Sequence, residues 1–454
     1  MTPNGIKGQL KEIVGVSQVL VSPERGPALV VRPGSTDEVS RCLAVLNKHA
    51  IPVVTLGGRT GLVQGTDAAR DTVGISTERL SKIHDLDPLR RQLLVDAGVT
   101  LEAVNRHAAR FGLRYAVDFG ARGSCTIGGT IATNAGGNSV VRFGMTRQNV
   151  VGIEAVLADG AILTDLRGLK KDNAGYDLKQ IFIGSEGTLG VVTRALLSLV
   201  PAAADSASAL IALQTLEDAL TVMGTLQARC GQFLSALEIM WNRYFADVSR
   251  QVLKSARAPL QAAHPIYLLA QLETGARDPS PNDMFADILS GLDCIADSAL
   301  AQTKAQEAVF WSIRDGSEII ERMYPKVLYF DVSLRPQDYS TYIGAVERTL
   351  AEQMPDAVPY YFGHLADGNV HFMIGHAGAA AEADAGIERC VYETLSRYQP
   401  SSISAEHGIG REKRAHLWRS RSAQEISTMN RIRAALDPTG ILNPHIQYET
   451  AVSS

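Results

Sequence analysis

Three glycine-rich segments set the tightest limits on what this chain can fold into: Gly57 to Gly65 (GGRTGLVQG), Gly123 to Gly137 (GSCTIGGTIATNAGG) and Gly184 to Gly190 (GSEGTLG). The 40 glycines are not spread evenly over the 454 residues, and these clusters all precede residue 191. Loops without Cβ atoms let backbone N–H groups approach a ligand closely, so several converging loops can wrap a diphosphate with neutral donors. One cluster alone reads more often as a set of turns; three together weigh against that reading. Neither GxGxxG nor GxxxxGK[ST] occurs, which disfavours a nicotinamide Rossmann domain and a P-loop enzyme.

Neutral donors suit the charge balance. The 44 Lys and Arg against 48 Asp and Glu leave a net charge of −4, which supplies no reason to dock on nucleic acid or an anionic membrane. A small-molecule partner is expected. The five cysteines, Cys42, Cys125, Cys230, Cys294 and Cys390, are odd in number and far apart, so neither a CxxC motif nor a dense disulfide framework is readable. With no secretory pattern at the start and no apolar run of membrane-spanning length, the expectation is a soluble, cytoplasmic protein.

The first region predicts a short βαβ unit. ALVVRP (28–33) is a strand, Ser35 with Glu38 is a capping-box pattern for the helix carrying Val39, Leu43 and Leu46, and PVVTL (52–56) is the returning strand. Its exit is the first glycine segment, a place where phosphate can bind. Pro201, closing ALLSLV, marks the boundary, and 201–262 has the composition of mostly helix. Beyond it the pattern predicts helices at 213–230, 337–353 and 421–436, strands near 266–272 and 327–333, and a hairpin around 359–375.

The segments VVRPGSTDEV, TLGGRTGL, GSCTIGGTIATNAGGN and FIGSEGTLGVVT, in this order, resemble the flavoprotein family typified by vanillyl-alcohol oxidase and p-cresol methylhydroxylase. GHLADGNVHF, SAEHGIGREK and DPTGILNP are similar to its D-lactate, glycolate and D-2-hydroxyglutarate dehydrogenase branch. The resemblance implies an α+β fold. A two-part FAD-binding domain of that type occupies 1–202, with residues from about 415 to 454 packing back on it, and an α+β substrate and metal-binding cap domain with an antiparallel sheet occupies 203–414. It assigns FAD contacts to Gly57, Gly58, Arg59, Thr60, Gly61 and Leu62; to Gly123, Ser124, Thr126, Gly128, Gly129, Thr133, Asn134 and Gly137; and to Glu186, Gly187, Gly190 and Asn443. The first loop holds no histidine, so dissociable FAD is expected, with Cys125 as the residue able to contradict this.

His364-Leu-Ala-Asp-Gly-Asn-Val-His371 reads by geometry as a hairpin with a two-residue Asp367-Gly368 turn, which would place His364 directly opposite His371. Opposed Cβ atoms lie ~4.5 to 5.5 Å apart, close enough for both imidazoles to ligate one ion. Glu406 can complete a His, His, Glu set for zinc, or for manganese or iron, leaving His407 unligated beside it. The other reading is two surface histidines and an unrelated loop glutamate; the resemblance favours the metal. A metal-chelated D-2-hydroxy acid would lose its hydroxyl proton to His407 and its C2 hydride to flavin N5, giving a 2-oxo acid. Arg314 is the candidate anchor for a substrate carboxylate, against the alternative of a helix-end ion pair with Asp315.

The sequence departs from the D-2-hydroxyglutarate branch at Tyr329, where a lysine is usual, at Met373, where a polar residue is, and at Glu318, where a neutral hydroxyl is. These replacements remove a cation and add a negative charge where a second carboxylate would sit, although DVSLRP otherwise resembles that branch, so a less acidic or differently shaped 2-hydroxy acid stands beside a dicarboxylic one as an equal alternative. An electron-transfer flavoprotein, a quinone or a cytochrome is the expected acceptor, and a homodimer the expected assembly. A same-fold oxidase using dioxygen, an FAD subunit of a multi-subunit glycolate oxidase and, more weakly, a flavin-free metallohydrolase are the competing readings.

Overall fold

The helix Thr36–Lys48 starts where the sequence predicts, because the Ser35 hydroxyl accepts the Glu38 N–H at 3.2 Å. Only half of the expected capping box forms, since the Glu38 carboxylate accepts from Gly34 N–H, at 2.7 Å, instead of from Ser35. Val39, Cys42, Leu43 and Leu46 give the helix its buried face. It connects strand Leu29–Val31 to strand Val53–Leu56, but Val73–Ser76 lies between the two, parallel to both. The first glycine segment therefore leaves an edge strand of a four-stranded sheet, whose other edge is Val19–Val21.

The computed structural model describes residues 3–22, 26–254, 259–260, 263–378 and 381–449. They form two compact units, one drawn from 1–137, 144–202 and 406–454, the other from 138–143 and 203–405. The chain returns to the first unit at Glu406 rather than near 415, so Glu406 and His407 belong to that unit and not to the second, where the sequence put them.

The first unit holds a second sheet. Strands Ile83–Asp87, Gln92–Asp96, Val191–Pro201, Val150–Val156 and Ile162–Asp165 follow one another antiparallel, and Leu113–Tyr115 pairs with the far end of Val191–Pro201. Ile127 and Ile131 of the short helix Ile127–Thr133 are buried in the same core as Leu93, Val95, Ile153 and Leu197. That anchorage fixes the second glycine segment. The last helix, Ala423–Leu436, has a complete Ser422–Glu425 capping box, and beyond it the Asp437 carboxylate accepts from Ile441 and Leu442 N–H. Val53 N–H then donates to Ile441 O and Asn443 N–H to Val53 O, both at 2.7 Å, tying the C-terminal segment to the strand that feeds the first glycine loop.

The second unit is built on one antiparallel sheet with the order Asp297–Leu300, Asp205–Leu213, Ile266–Thr274, Leu234–Trp241, Val358–His364, Asn369–His376, Lys326–Leu334, Ser401–Ser402. Two of these strands, Asp205–Leu213 and Leu234–Trp241, fall in the stretch whose composition reads as mostly helix. Ala207 to Leu213 is buried at every position, so packing on both faces overrides the weak strand propensity of alanine and serine. Helix Leu216–Cys230 between them begins with a Thr215–Asp218 capping box.

The hairpin differs from its prediction. Leu365–Asp367 forms a 3-10 turn and Gly368 takes φ +84°, so the strands pair His364 with Asn369 and Phe362 with His371. Leu365 is fully buried, which pulls it out of the ladder, while the Asn369 amide is held by Asp331 Oδ1 (2.9 Å) and Val332 O (3.0 Å). The register slips by two residues, an even number, so both histidines keep their common face.

Candidate active site

In the first unit the glycine segments are held by close backbone approach. A Cβ on Gly58 would stand 2.0 Å from Ser124 O, and one on Gly57 2.6 Å from Thr126 Oγ1, so the first and second segments touch only because both residues are glycine. Gly128 lies against Ala97, and Gly190 against Val156 O and Phe182. Gly137 combines φ +124° with a Cβ position 2.2 Å from Asp118 O. Others face open space: nothing lies within 4 Å of a Cβ on Gly61, and Arg59, Gly61, Leu62, Gly123 and Ser124 are exposed.

Backbone strain gathers at the same places. Eight described non-glycine residues have left-handed φ, and four of them, Arg59, Asn134, Glu186 and Asn443, are residues that the family resemblance assigns to the flavin. Strained conformations persist where surrounding structure enforces them for function. Asn443 shows how: its side-chain amide donates to Glu186 O (2.8 Å) and Gly65 O (3.2 Å), bridging the third and first segments. Asn134 Oδ1 accepts Arg147 N–H at 2.9 Å, and the Thr133 hydroxyl donates to Gly129 O at 3.2 Å.

Among the described residues, two buried polar atoms in this framework, Thr126 Oγ1 and Asn443 Oδ1, have no hydrogen-bond partner. Leaving such atoms unsatisfied costs about 1 to 3 kcal/mol each, so a polar ligand at the glycine loops is the arrangement they fit. The residues present therefore suit a dinucleotide cofactor. Cys125 is buried, and burial pushes its thiol pKa up to about 11.

The second unit carries a buried ionic cluster. Glu238, on strand Leu234–Trp241, pairs across the ladder with His364. Its Oε1 lies 2.9 Å from His364 Nδ1, and its Oε2 accepts from Arg314 Nε at 2.8 Å and meets Nη2 at 2.7 Å. Burial would raise the Glu238 pKa, but Arg314 and His364 together hold it below the ordinary carboxylate value. His371 sits 5.3 Å from His364, ring centre to ring centre, and its Nδ1 is 3.6 Å from Asp331 Oδ1 of the neighbouring strand. Each histidine thus has a fully buried carboxylate beside Nδ1; at His364 the 2.9 Å contact is a hydrogen bond of the kind that fixes the tautomer and leaves Nε2 as ligand, while the 3.6 Å at His371 is longer than a hydrogen bond. Arg314 Nη2 is 3.1 Å from His364 Nε2, a hydrogen bond that a cation at that nitrogen would displace.

Arg314 does not stand ready as a free carboxylate anchor. It is only 8% exposed, its guanidinium is engaged by Glu238, His364 and Asp315, and it lies 5.5 Å from the Phe362 ring centre. Glu238 and Asp331 were missed in the sequence reading. The available signal was a lone carboxylate inside each apolar run, LSALEIMW and LYFDVSL. Glu406 lies in the first unit, where its Oε1 accepts Gly137 N–H at 3.0 Å, and His407 follows it.

The sequence matches the model for the FAD binding domain over residues 27–165 and that for the C-terminal domain of FAD linked oxidases over residues 202–446. A D-2-hydroxyglutarate dehydrogenase of Xanthomonas citri pv. viticola is 37% identical over 431 residues, covering 93% of this chain and 90% of the relative. A D-2-hydroxyglutarate–pyruvate transhydrogenase of Saccharomyces cerevisiae is 32% identical over 447 residues, covering 96% and 89%. Among solved structures, substrate-bound p-cresol methylhydroxylase shares the fold with a TM-score of 0.77 at 15% identity, over 98% of this chain and 97% of that one. An alkyldihydroxyacetonephosphate synthase does so with a TM-score of 0.73 at 16% identity, over 98% and 85%. The chain belongs to the FAD-linked oxidase family, with the two-part α+β fold of p-cresol methylhydroxylase. Within that family it is a flavoenzyme of the group whose relatives carry D-2-hydroxyacid dehydrogenase names.

Proposed function

We propose that this chain oxidises a D-2-hydroxy acid to the 2-oxo acid, with dissociable FAD at the glycine loops and a divalent metal held by His364, His371 and Glu406. Zinc suits this donor set, and manganese or iron would also. The observation that carries the reading is the facing His364–His371 pair with Glu238 and Asp331 behind it. Chain continuity supports Glu406 as third ligand: Ala405 N–H donates to Asp331 O at 3.1 Å, and Asp331 is the ladder partner of His371.

Bound FAD supplies the hydride acceptor, and a metal at the histidine pair supplies Lewis-acid polarisation of the 2-hydroxyl. The remaining work falls to the chain. His407 takes the hydroxyl proton on an imidazole nitrogen, which frees the electron pair that forms the carbonyl as hydride leaves C2. Glu238 orients the His364 imidazole, Asp331 lies beside that of His371, and Arg314 holds Glu238 ionised. Cys125, kept as a thiol by burial, is a poor nucleophile for a flavin linkage, which supports a dissociable cofactor. The acceptor of the electrons is an electron-transfer flavoprotein, a quinone or a cytochrome, the assembly a homodimer, and the location the cytoplasm.

The face that carries His371 continues through residues of uncharged character. Met373 is almost fully buried and pairs with Tyr329 on one side and Tyr360 on the other. Tyr329 is bound to Glu321, and burial followed by that carboxylate pushes its pKa up. A second substrate carboxylate here would meet a phenol and a thioether with acidic groups beside them. We therefore expect D-2-hydroxy acids with uncharged side chains to exceed D-2-hydroxyglutarate and D-malate by roughly tenfold or more in kcat/KM. Anaerobic flavin bleaching screened across D- and L-acids checks this. Bleaching by L-isomers alone would refute the proposed stereochemistry, and a preference for D-2-hydroxyglutarate would refute the placement of Met373 and Tyr329 beside the far end of the substrate.

A further inference from the structure

Glu186 has a buried side chain that is turned away from the role the glycine motif gives it. Its backbone belongs to the third glycine segment, strained at φ +51°, with N–H donated to Ala132 O (2.8 Å) and the carbonyl taken by Asn443. Its carboxylate reaches instead to the segment after His407: Oε2 accepts Ile409 N–H at 3.1 Å and Oε1 accepts Gly410 N–H at 2.8 Å. Gly408 is shaped around it, with φ +84° and a Cβ position 2.8 Å from Glu186 Oε1. On the other side of His407, Glu406 Oε1 accepts Gly137 N–H, at the end of the second glycine segment. Arg411 N–H donates to Val63 O in the first, at 3.0 Å.

We infer that Glu186 is a positioning residue that clamps residues 408–410 to the flavin loop and thereby fixes the placement of His407 and Glu406. All of these groups lie in one compact unit, so the clamp is internal to it. The chemistry requires a carboxylate. Two N–H groups face two oxygens, both of which must accept, and an amide can offer one acceptor only. Burial pushes the Glu186 pKa up, and the Gly410 and Ile409 N–H groups, followed by the buried Lys413, work against that rise by favouring the ionised form. The role in catalysis rests on the proposed function, in which His407 is the base; the clamp itself does not.

Two variants test this on the full-length holoprotein. Glu186→Gln sets an amide N–H against a backbone N–H, and Gly408→Ala drives a methyl into the carboxylate. Both are expected to raise amide hydrogen exchange over 406–410 by roughly tenfold or more. FAD should remain bound. The rate of flavin reduction per bound FAD at saturating D-2-hydroxy acid should fall about 30- to 100-fold, with KM changed less than threefold, because a small misplacement of a reacting group is costly. Unchanged exchange in both variants would overturn the clamp. Raised exchange with a wild-type rate per bound flavin, or loss of FAD with a wild-type rate for what remains, would overturn the positioning role. If no 2-hydroxy acid reduces the wild-type flavin, the proposed function falls and the positioning role with it, while the exchange result still reports on the clamp.

Discussion

Replacing His407 with asparagine should leave FAD bound and slow flavin reduction by ~10² to 10⁴. Asparagine keeps a polar side chain at the position but has no nitrogen that can accept a proton near neutral pH. The neighbouring anchors do not depend on the imidazole, since Glu406 is tied to Gly137 and residues 409 and 410 to Glu186. The loss should therefore fall on kcat. Stopped-flow reduction of the variant, read against its flavin content, gives the result directly. A rate within threefold of wild type would move the base elsewhere.

The second large effect is on stability. Arg314→Leu removes the cation from a fully buried Glu238, and breaking a buried pair on one side costs about 3 to 5 kcal/mol. The pH dependence follows from the direction of the Glu238 shift. In the wild-type protein its folded pKa lies below the unfolded value, so its contribution is present above the unfolded carboxylate pKa and is lost as pH falls through the folded one. Without Arg314, burial dominates and the folded pKa rises above the unfolded value. That destabilises the variant as pH rises through it and relieves the penalty in acid. Denaturant melts should thus show the largest gap between the two proteins at neutral pH and a smaller one below the carboxylate range. A gap independent of pH would show that lost packing, not charge, explains the cost.

Much of the first unit was legible because its signals are local. Ser35 before an apolar helical repeat, Pro52 ending it, and glycine clusters after short apolar runs each act within a few residues. The second unit was less so. Strand Asp205–Leu213 is rich in alanine and leucine, which favour helix, and burial by neighbours distant in sequence makes it a strand. The hairpin was predicted one loop too tight, because Leu365 contributes more by burial than by staying in the ladder. The histidine pair survived that error because strand faces repeat every second residue and the slip was even.

Glu238 and Asp331, each a lone carboxylate in an apolar run, were harder to interpret for another reason. A buried carboxylate is tolerated only with partners supplied by other strands, here Arg314 and His364 for Glu238, and His371 and Asn369 for Asp331. Nothing adjacent in sequence announces those partners. The same holds for Glu186, whose motif points to the flavin while its side chain serves residues 409 and 410.

Anaerobic mixing of the purified holoprotein with a D-2-hydroxy acid, before and after removal of divalent metal by a chelator, decides whether a metal takes part in flavin reduction. The visible flavin band should bleach with the D-isomer, chelation should abolish the bleaching without releasing FAD, and zinc or manganese should restore it. Bleaching at an undiminished rate in the metal-free protein would contradict the metal's part.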